Sequence, residues 1–170
     1  DDMQRDAWYS SMRDARELVN IFDNQIYPTD REFFGSEWTP GVDNDARLYV
    51  LYTTGMGSRV AGYFASGDSI NPAASPYSNG HEMFFISADS GPLDDSYTFT
   101  VLAHEFQHMI HWYQDRNEES WLNEGFSDLA AFLNGYDIGG HDWLFASDPD
   151  LQLDDLPNDE DATTPHYGAS

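Results

Sequence analysis

Residues 96–135 read SYTFTVLAHEFQHMIHWYQDRNEESWLNEGFSDLAAFLNG. Phe99, Leu102, Phe106, Met109 and Tyr113 recur at helical intervals, which predicts one helix over about Ser96–Gln114 with a single apolar stripe. Asn117–Glu119 interrupt that pattern. Ser120 then suits an N-cap for a second helix to about Asn134, and Gly135 suits its stop. The short connection folds the second helix back against the first. One face of the first helix is built for a core, and the other carries His104, Glu105 and His108.

Outside this pair the chain reads as helix, then strands. Trp8, Met12, Ala15, Leu18, Val19 and Phe22 predict an amphipathic helix from Arg5 to about Phe22. Arg47–Thr54 and Arg59–Ala65 read as strands joined through Gly55-Met56-Gly57-Ser58 as a hairpin loop. Ser66–Ser78 is irregular, Asn79-Gly80 is a turn, and Glu82–Ala88 is a third strand. Past Gly135 the acidic segment Asp148–Asp161, with Pro149 and Pro157, reads as a long loop. The expected fold is α+β: a small twisted mixed sheet packed on the two helices of the opening stretch.

A chain of 170 residues with 40% hydrophobic and 15% aromatic content is expected to form one globular domain over 1–170. Within it, 1–95 supplies a helix and the sheet, 96–135 the helix pair, and 136–170 an acidic loop and the start of a C-terminal part. No apolar run reaches the ~18 residues of a membrane span. The start shows no basic and apolar leader, so the chain is cytoplasmic or a signal segment has been removed. Net charge is −24 and all seven basic residues are arginine, which argues against nucleic acid or an anionic membrane as partner. Such a surface suits a salt-adapted or secreted microbial protein, or reflects drift where lysine is not needed. With no cysteine, disulfides, thiolate metal ligands and cysteine nucleophiles are all excluded.

His104 and His108 lie about 40° apart around a helix, so both imidazoles can reach one ion. Glu105 lies on the flank, roughly 80° from their mid-line, where it can touch a water without occupying the ion. The alternative is a solvated polar face. Zinc at such a site needs a third protein ligand. The continuation H-E-x-x-H-x-x-G-x-x-H fails, because His111 stands where glycine belongs and Gln114 where histidine belongs. His111 is two turns, roughly 10 Å, from His104 and reads as a cleft-wall or solvated histidine. Glu124, on the returning helix, is the best remaining candidate, against an exposed helical glutamate.

HEFQH followed by WLNEG resembles the gluzincin zinc metallopeptidases, the thermolysin-like clan, and within it the bacterial hyicolysin and immune-inhibitor-A type of peptidase. The resemblance covers about residues 79–128. It implies a zincin-like fold, Zn2+ held by His104, His108 and Glu124, and Glu105 as general base. It also implies an outer carboxylate orienting the first histidine, four residues after the glutamate ligand, where Asp128 stands; i and i+4 share a helix face. It implies an edge strand before the metal helix that pairs with substrate, and Ser75–Gly80 followed by Glu82–Ala88 fits that plan, as does a plain loop. It implies a downstream His or Tyr for the tetrahedral intermediate, here His166 or Tyr167. The C-terminal helical subdomain of that family is not found in the sequence.

The expected activity is therefore zinc-dependent endopeptidase action on a polypeptide, with secretion as the expected location. The alternative is a zinc-bound but proteolytically inactive binding or structural module. Hydrolysis of a small amide in the manner of peptide deformylases is disfavoured, since that site uses a cysteine. Asp43-Asn44-Asp45 and Asp148–Asp161 offer oxygen ligands for Ca2+, but neither matches an EF-hand loop, and solvated carboxylates are the competing reading.

Overall fold

In the computed structural model the described residues are 2–57 and 59–150, with side chains described from residue 11 onward. The order is α1 (Asp2–Ile21), a π-helical turn (Phe22–Ile26), α2 (Tyr27–Phe34), β1 (Tyr49–Thr53), β2 (Gly62–Phe64), a 3-10 turn (Ser66–Ser69), β3 (Met83–Ser87), α3 (Ser96–Gln114), α4 (Ser120–Leu133) and α5 (His141–Ser147). The architecture is mixed helix and sheet, with three strands among the described residues.

The first helix does not end at Phe22. Tyr27 N–H donates to Phe22 O, a five-residue step, and the chain runs on into α2 with Pro28 in its first turn. Proline removes one backbone donor and crowds the preceding turn, and the wider π turn absorbs both effects. The apolar stripe is also narrower than its sequence reads. Leu18, Phe22 and Ile26 are buried, whereas Met12 and Val19 are exposed; the side chain of Trp8 lies outside those described.

The hairpin expected through Gly55–Ser58 does not form. The strand order is β1-β3-β2, with β1 parallel to β3 and β2 antiparallel to it. Met83, Phe84 and Ile86 of β3 are buried, so this strand takes the centre and the other two cover its edges. Local alternation in β1 and β2 carries no information about which strand lies between them. Ser75–Gly80 is also not a strand. It forms turns pinned by Asp68, whose carboxylate accepts Asn79 N–H at 3.0 Å and Asn79 Nδ2–H at 2.8 Å. The sheet edge beside the helix pair is β2.

α3 opens on Asp95, whose side chain accepts Tyr97 N–H at 2.8 Å, as an N-cap should. Its apolar stripe is the centre of the core. The Phe106 ring meets Phe22 at 5.2 Å, stacks on Tyr27 at 5.4 Å and meets Phe84 edge-on at 6.1 Å. It thus joins the N-terminal helix, the sheet and α3. α4 turns small residues inward: Gly125, Ser127, Ala130 and Ala131 are buried. Glu119, not Ser120, takes the N-cap position, and Gly135 follows α4 with φ +83°. α5 is an element absent from the sequence reading; residues 151–161 of the expected acidic loop lie outside the described residues.

Two joints place the elements around the helix pair. At Gly62 an added Cβ would lie 2.6 Å from Val101 Cγ1 and 2.9 Å from Phe85 O, so only glycine lets β2 sit this close to α3. Between α2 and α4, Asn134 Nδ2–H donates to the buried Asp30 Oδ1 at 2.7 Å. Asp30 Oδ2 and Asn134 Oδ1 are both buried without a hydrogen-bond partner.

Candidate metal centre

α3 and α4 bring three donor atoms together. His104 Nε2 lies 3.1 Å from His108 Nε2. Glu124 Oε2 lies 3.3 Å from His104 Nε2 and 3.4 Å from His108 Nε2. Among the described residues this is the one group of three or more His, Asp or Glu side chains whose donor atoms could hold a metal. Ligands at 2.0–2.1 Å in tetrahedral array are separated by about 3.3–3.4 Å, so the triangle has the size a zinc ion requires.

The tautomers point the same way. His104 Nδ1–H donates to Asp128 Oδ1 at 3.1 Å. His108 Nδ1–H donates to Ser127 Oγ at 3.0 Å, with Asn123 Oδ1 at 3.3 Å. Ser127 in turn donates to Gln107 Oε1 at 2.6 Å. With hydrogens on both Nδ1 atoms, both Nε2 lone pairs face each other and a carboxylate oxygen. Three converging acceptors repel one another unless a proton or a cation sits between them. Without a cation the site holds a proton: burial alone lowers the His104 pKa, but Asp128, Glu124 and Glu105 outweigh it and raise it to about 10. Burial raises Glu124, and the two histidines outweigh that to hold it well below the usual carboxylate range. A metal entering here would displace that proton, so its affinity would fall as the medium becomes more acid.

Glu105 is buried beside the triangle. Its Oε2 accepts Phe64 N–H at 2.9 Å, so backbone of the edge strand fixes one carboxylate oxygen. Two cavities, of about 630 and 650 Å³, share Arg59, Ala61, Gly62, His104 and Glu105 as lining. The first continues along Trp112, Arg116, Asn123 and Glu124. The second continues along Tyr97, Val101, Asp128, Ile138 and His141.

Asn123, Ser127 and His141 were not singled out from sequence. Asn123 and Ser127 lie one residue before Glu124 and before Asp128, and the helical repeat that brings Glu124 to His108 brings them too. His141 Nδ1 pairs with Asp128 Oδ2. His111 is neither solvated nor part of the cleft wall. It is buried against Phe126, its Nδ1 is 3.4 Å from Gln107 Nε2, and burial lowers its pKa. His166 and Tyr167 lie outside the described residues. The oxygens of the first calcium candidate are otherwise engaged: Asp43 Oδ2 pairs with His81 Nδ1 at 2.6 Å, and Asp45 pairs with the Arg47 guanidinium.

The chain is 30% identical over 146 residues to the neutral metalloprotease ShpI of Staphylococcus hyicus. The match takes in 74% of this chain and 32% of that protein, so the chain spans about a third of the relative's length. No protein-family profile matches the chain, and no solved structure matches it. No described helix is long and apolar enough to cross a membrane.

Proposed function

We propose that this chain carries the catalytic centre of a secreted zinc-dependent endopeptidase of the gluzincin type. The observation that carries the reading is the triangle of His104 Nε2, His108 Nε2 and Glu124 Oε2, with edges of 3.1, 3.3 and 3.4 Å, beside a buried, backbone-anchored Glu105. The partial likeness to a metalloprotease supports it. His104, His108 and Glu124 would hold the zinc, and the chemistry it would supply there is Lewis acidity toward a carbonyl and a water.

The chain's own residues do the rest. Asp128 and Ser127 hold the two imidazoles by their Nδ1 hydrogens, so each Nε2 is available as a ligand. Glu105, anchored at Oε2, accepts the proton of the attacking water at its other oxygen and passes it to the leaving nitrogen. Residues alternate along a strand, and Ser87 N–H donates to Ala61 O at 2.8 Å. Ala61 and Tyr63 therefore face β3, while Gly62 and Phe64 turn their backbone groups outward. An extended polypeptide pairs with Gly62 along that edge, its scissile carbonyl over the histidines. His166 or Tyr167 stabilises the charge that develops on that carbonyl.

The test is digestion of an unfolded protein with and without a zinc chelator. The zinc-loaded chain is expected to cut it, the chelated chain is not, and added zinc restores cutting. Cleavage that ignores the chelator, or none at full zinc occupancy, would sink the reading; the second outcome would favour an inactive zinc-bound module. Removal of one ligand gives a separate check. Glu124→Ala is expected to weaken zinc binding on the order of 10²-fold, roughly 3 kcal/mol, one ligand's share of the ~10–16 kcal/mol a complete structural site provides. A competition titration reads this directly, and unchanged affinity would remove Glu124 from the ligand set.

A further inference from the structure

We infer that His141 is a positioning residue for the metal centre, acting through Asp128 on the ligand His104. The inference rests on the metal reading proposed above. Asp128 accepts with both oxygens: Oδ1 takes His104 Nδ1–H at 3.1 Å, and Oδ2 pairs with His141 Nδ1. A carboxylate bound at one oxygen only can rotate about its last side-chain bond. That rotation swings Oδ1 away from His104 and frees the imidazole ring. A donor on Oδ2 locks the carboxylate plane, and a locked plane fixes the ring whose Nε2 is a ligand.

His141 turns inward from a mostly exposed element. It opens α5, a helix with no buried residue, and of that helix only His141 and Phe145 are even partly covered. Gly139 and Gly140, with φ of +71° and +78°, give the chain a left-handed approach that bulkier residues resist, and it ends at His141. Asp137, Ile138 and Gly139 of that approach line the same cavity as Glu105 and His104. The His141–Asp128 contact therefore also fastens a wall of the cleft to the helix that carries Glu124.

The experiment measures zinc affinity by competition with a chromogenic chelator, together with the visible spectrum of the Co2+-loaded chain. His141→Asn retains an N–H near the position of Nδ1, whereas His141→Gln moves it to the far end of the side chain and His141→Phe removes it. The phenylalanine and glutamine variants are expected to bind zinc about 10-fold more weakly, at the low end of the 10–100-fold typical for an outer partner of a ligand. The asparagine variant is expected within about 3-fold of the unaltered chain. Their Co2+ bands shift, while the asparagine variant keeps the original spectrum. Melting followed by circular dichroism identifies folded variants, and if the phenylalanine variant melts early the asparagine–glutamine pair decides. The proposal is overturned if all three bind zinc like the unaltered chain, or if all three are weakened alike. Should the unaltered chain bind no zinc, the metal reading fails first and this inference with it.

Discussion

Glu105→Gln is expected to abolish peptide hydrolysis while zinc still binds with unchanged affinity. The amide oxygen of glutamine can keep the hydrogen bond from Phe64 N–H that holds Glu105 at 2.9 Å, so the side chain stays in place. What disappears is the second carboxylate oxygen as a proton acceptor, since a neutral amide does not take a proton from water. Loss of a positioned general base removes about 10²–10⁴-fold in rate. The ligand triangle is untouched, because Glu105 is not among the three donors that converge. Parallel measurements of kcat/KM and bound zinc separate the effects. Equal activity in the variant would end the proposed role of Glu105, and lost zinc would make it a ligand.

Folding stability is expected to fall as pH rises from about 4 to about 8, through one side chain remote from the chemistry. Asp30 is fully buried between α2 and α4, with an amide donor from Asn134 on one of its oxygens. Burial raises its pKa, Asn134 partly offsets this, and the carboxyl is pushed up to about 8. In the unfolded chain it titrates near 3.9. The folded state therefore keeps a proton that the unfolded state releases throughout this window. That contribution is full below about pH 4 and is lost as pH rises through about 8, at most roughly 6 kcal/mol in all. Asp30→Asn removes the ionisable group and keeps an oxygen to accept from Asn134 Nδ2–H at every pH. Urea unfolding at pH 5, 7 and 9 should show the variant gaining on the unaltered chain as pH rises. Parallel pH curves for the two would show that Asp30 is ionised at neutral pH.

The helix pair was legible because its signals are local. The apolar stripe from Phe99 to Tyr113 and the break after Gln114 place α3 without knowledge of what it packs against. The same regularity brings Glu124 back to His104 and His108, since the connection is too short for any other return. The apolar stripe that stops at Phe22 reads as an end, and the π turn that carries the helix on past Pro28 is invisible in residue types. Sheet order depends on which strand is covered on both faces. The run Met83–Ile86 hinted at that, but the alternation in β1 and β2 did not. His141 was out of reach for another reason. Its approach to Asp128 depends on the path of residues 135–140, where three glycines at positive φ steer the chain. A scarce histidine directly after Gly139-Gly140 was the available hint.

The three-residue strand at the sheet margin has a consequence for how this protein behaves at high concentration. An exposed strand edge is a template on which another copy can extend the sheet. Here the margin is Gly62–Phe64, too short for a stable new pairing, and one of its outward amides is already occupied by Glu105. The edge is thus capped at Phe64, which leaves Gly62 for a single extended substrate but not a row of amides for a second sheet. The chain's net charge of −24 adds repulsion between two copies that would meet along this edge.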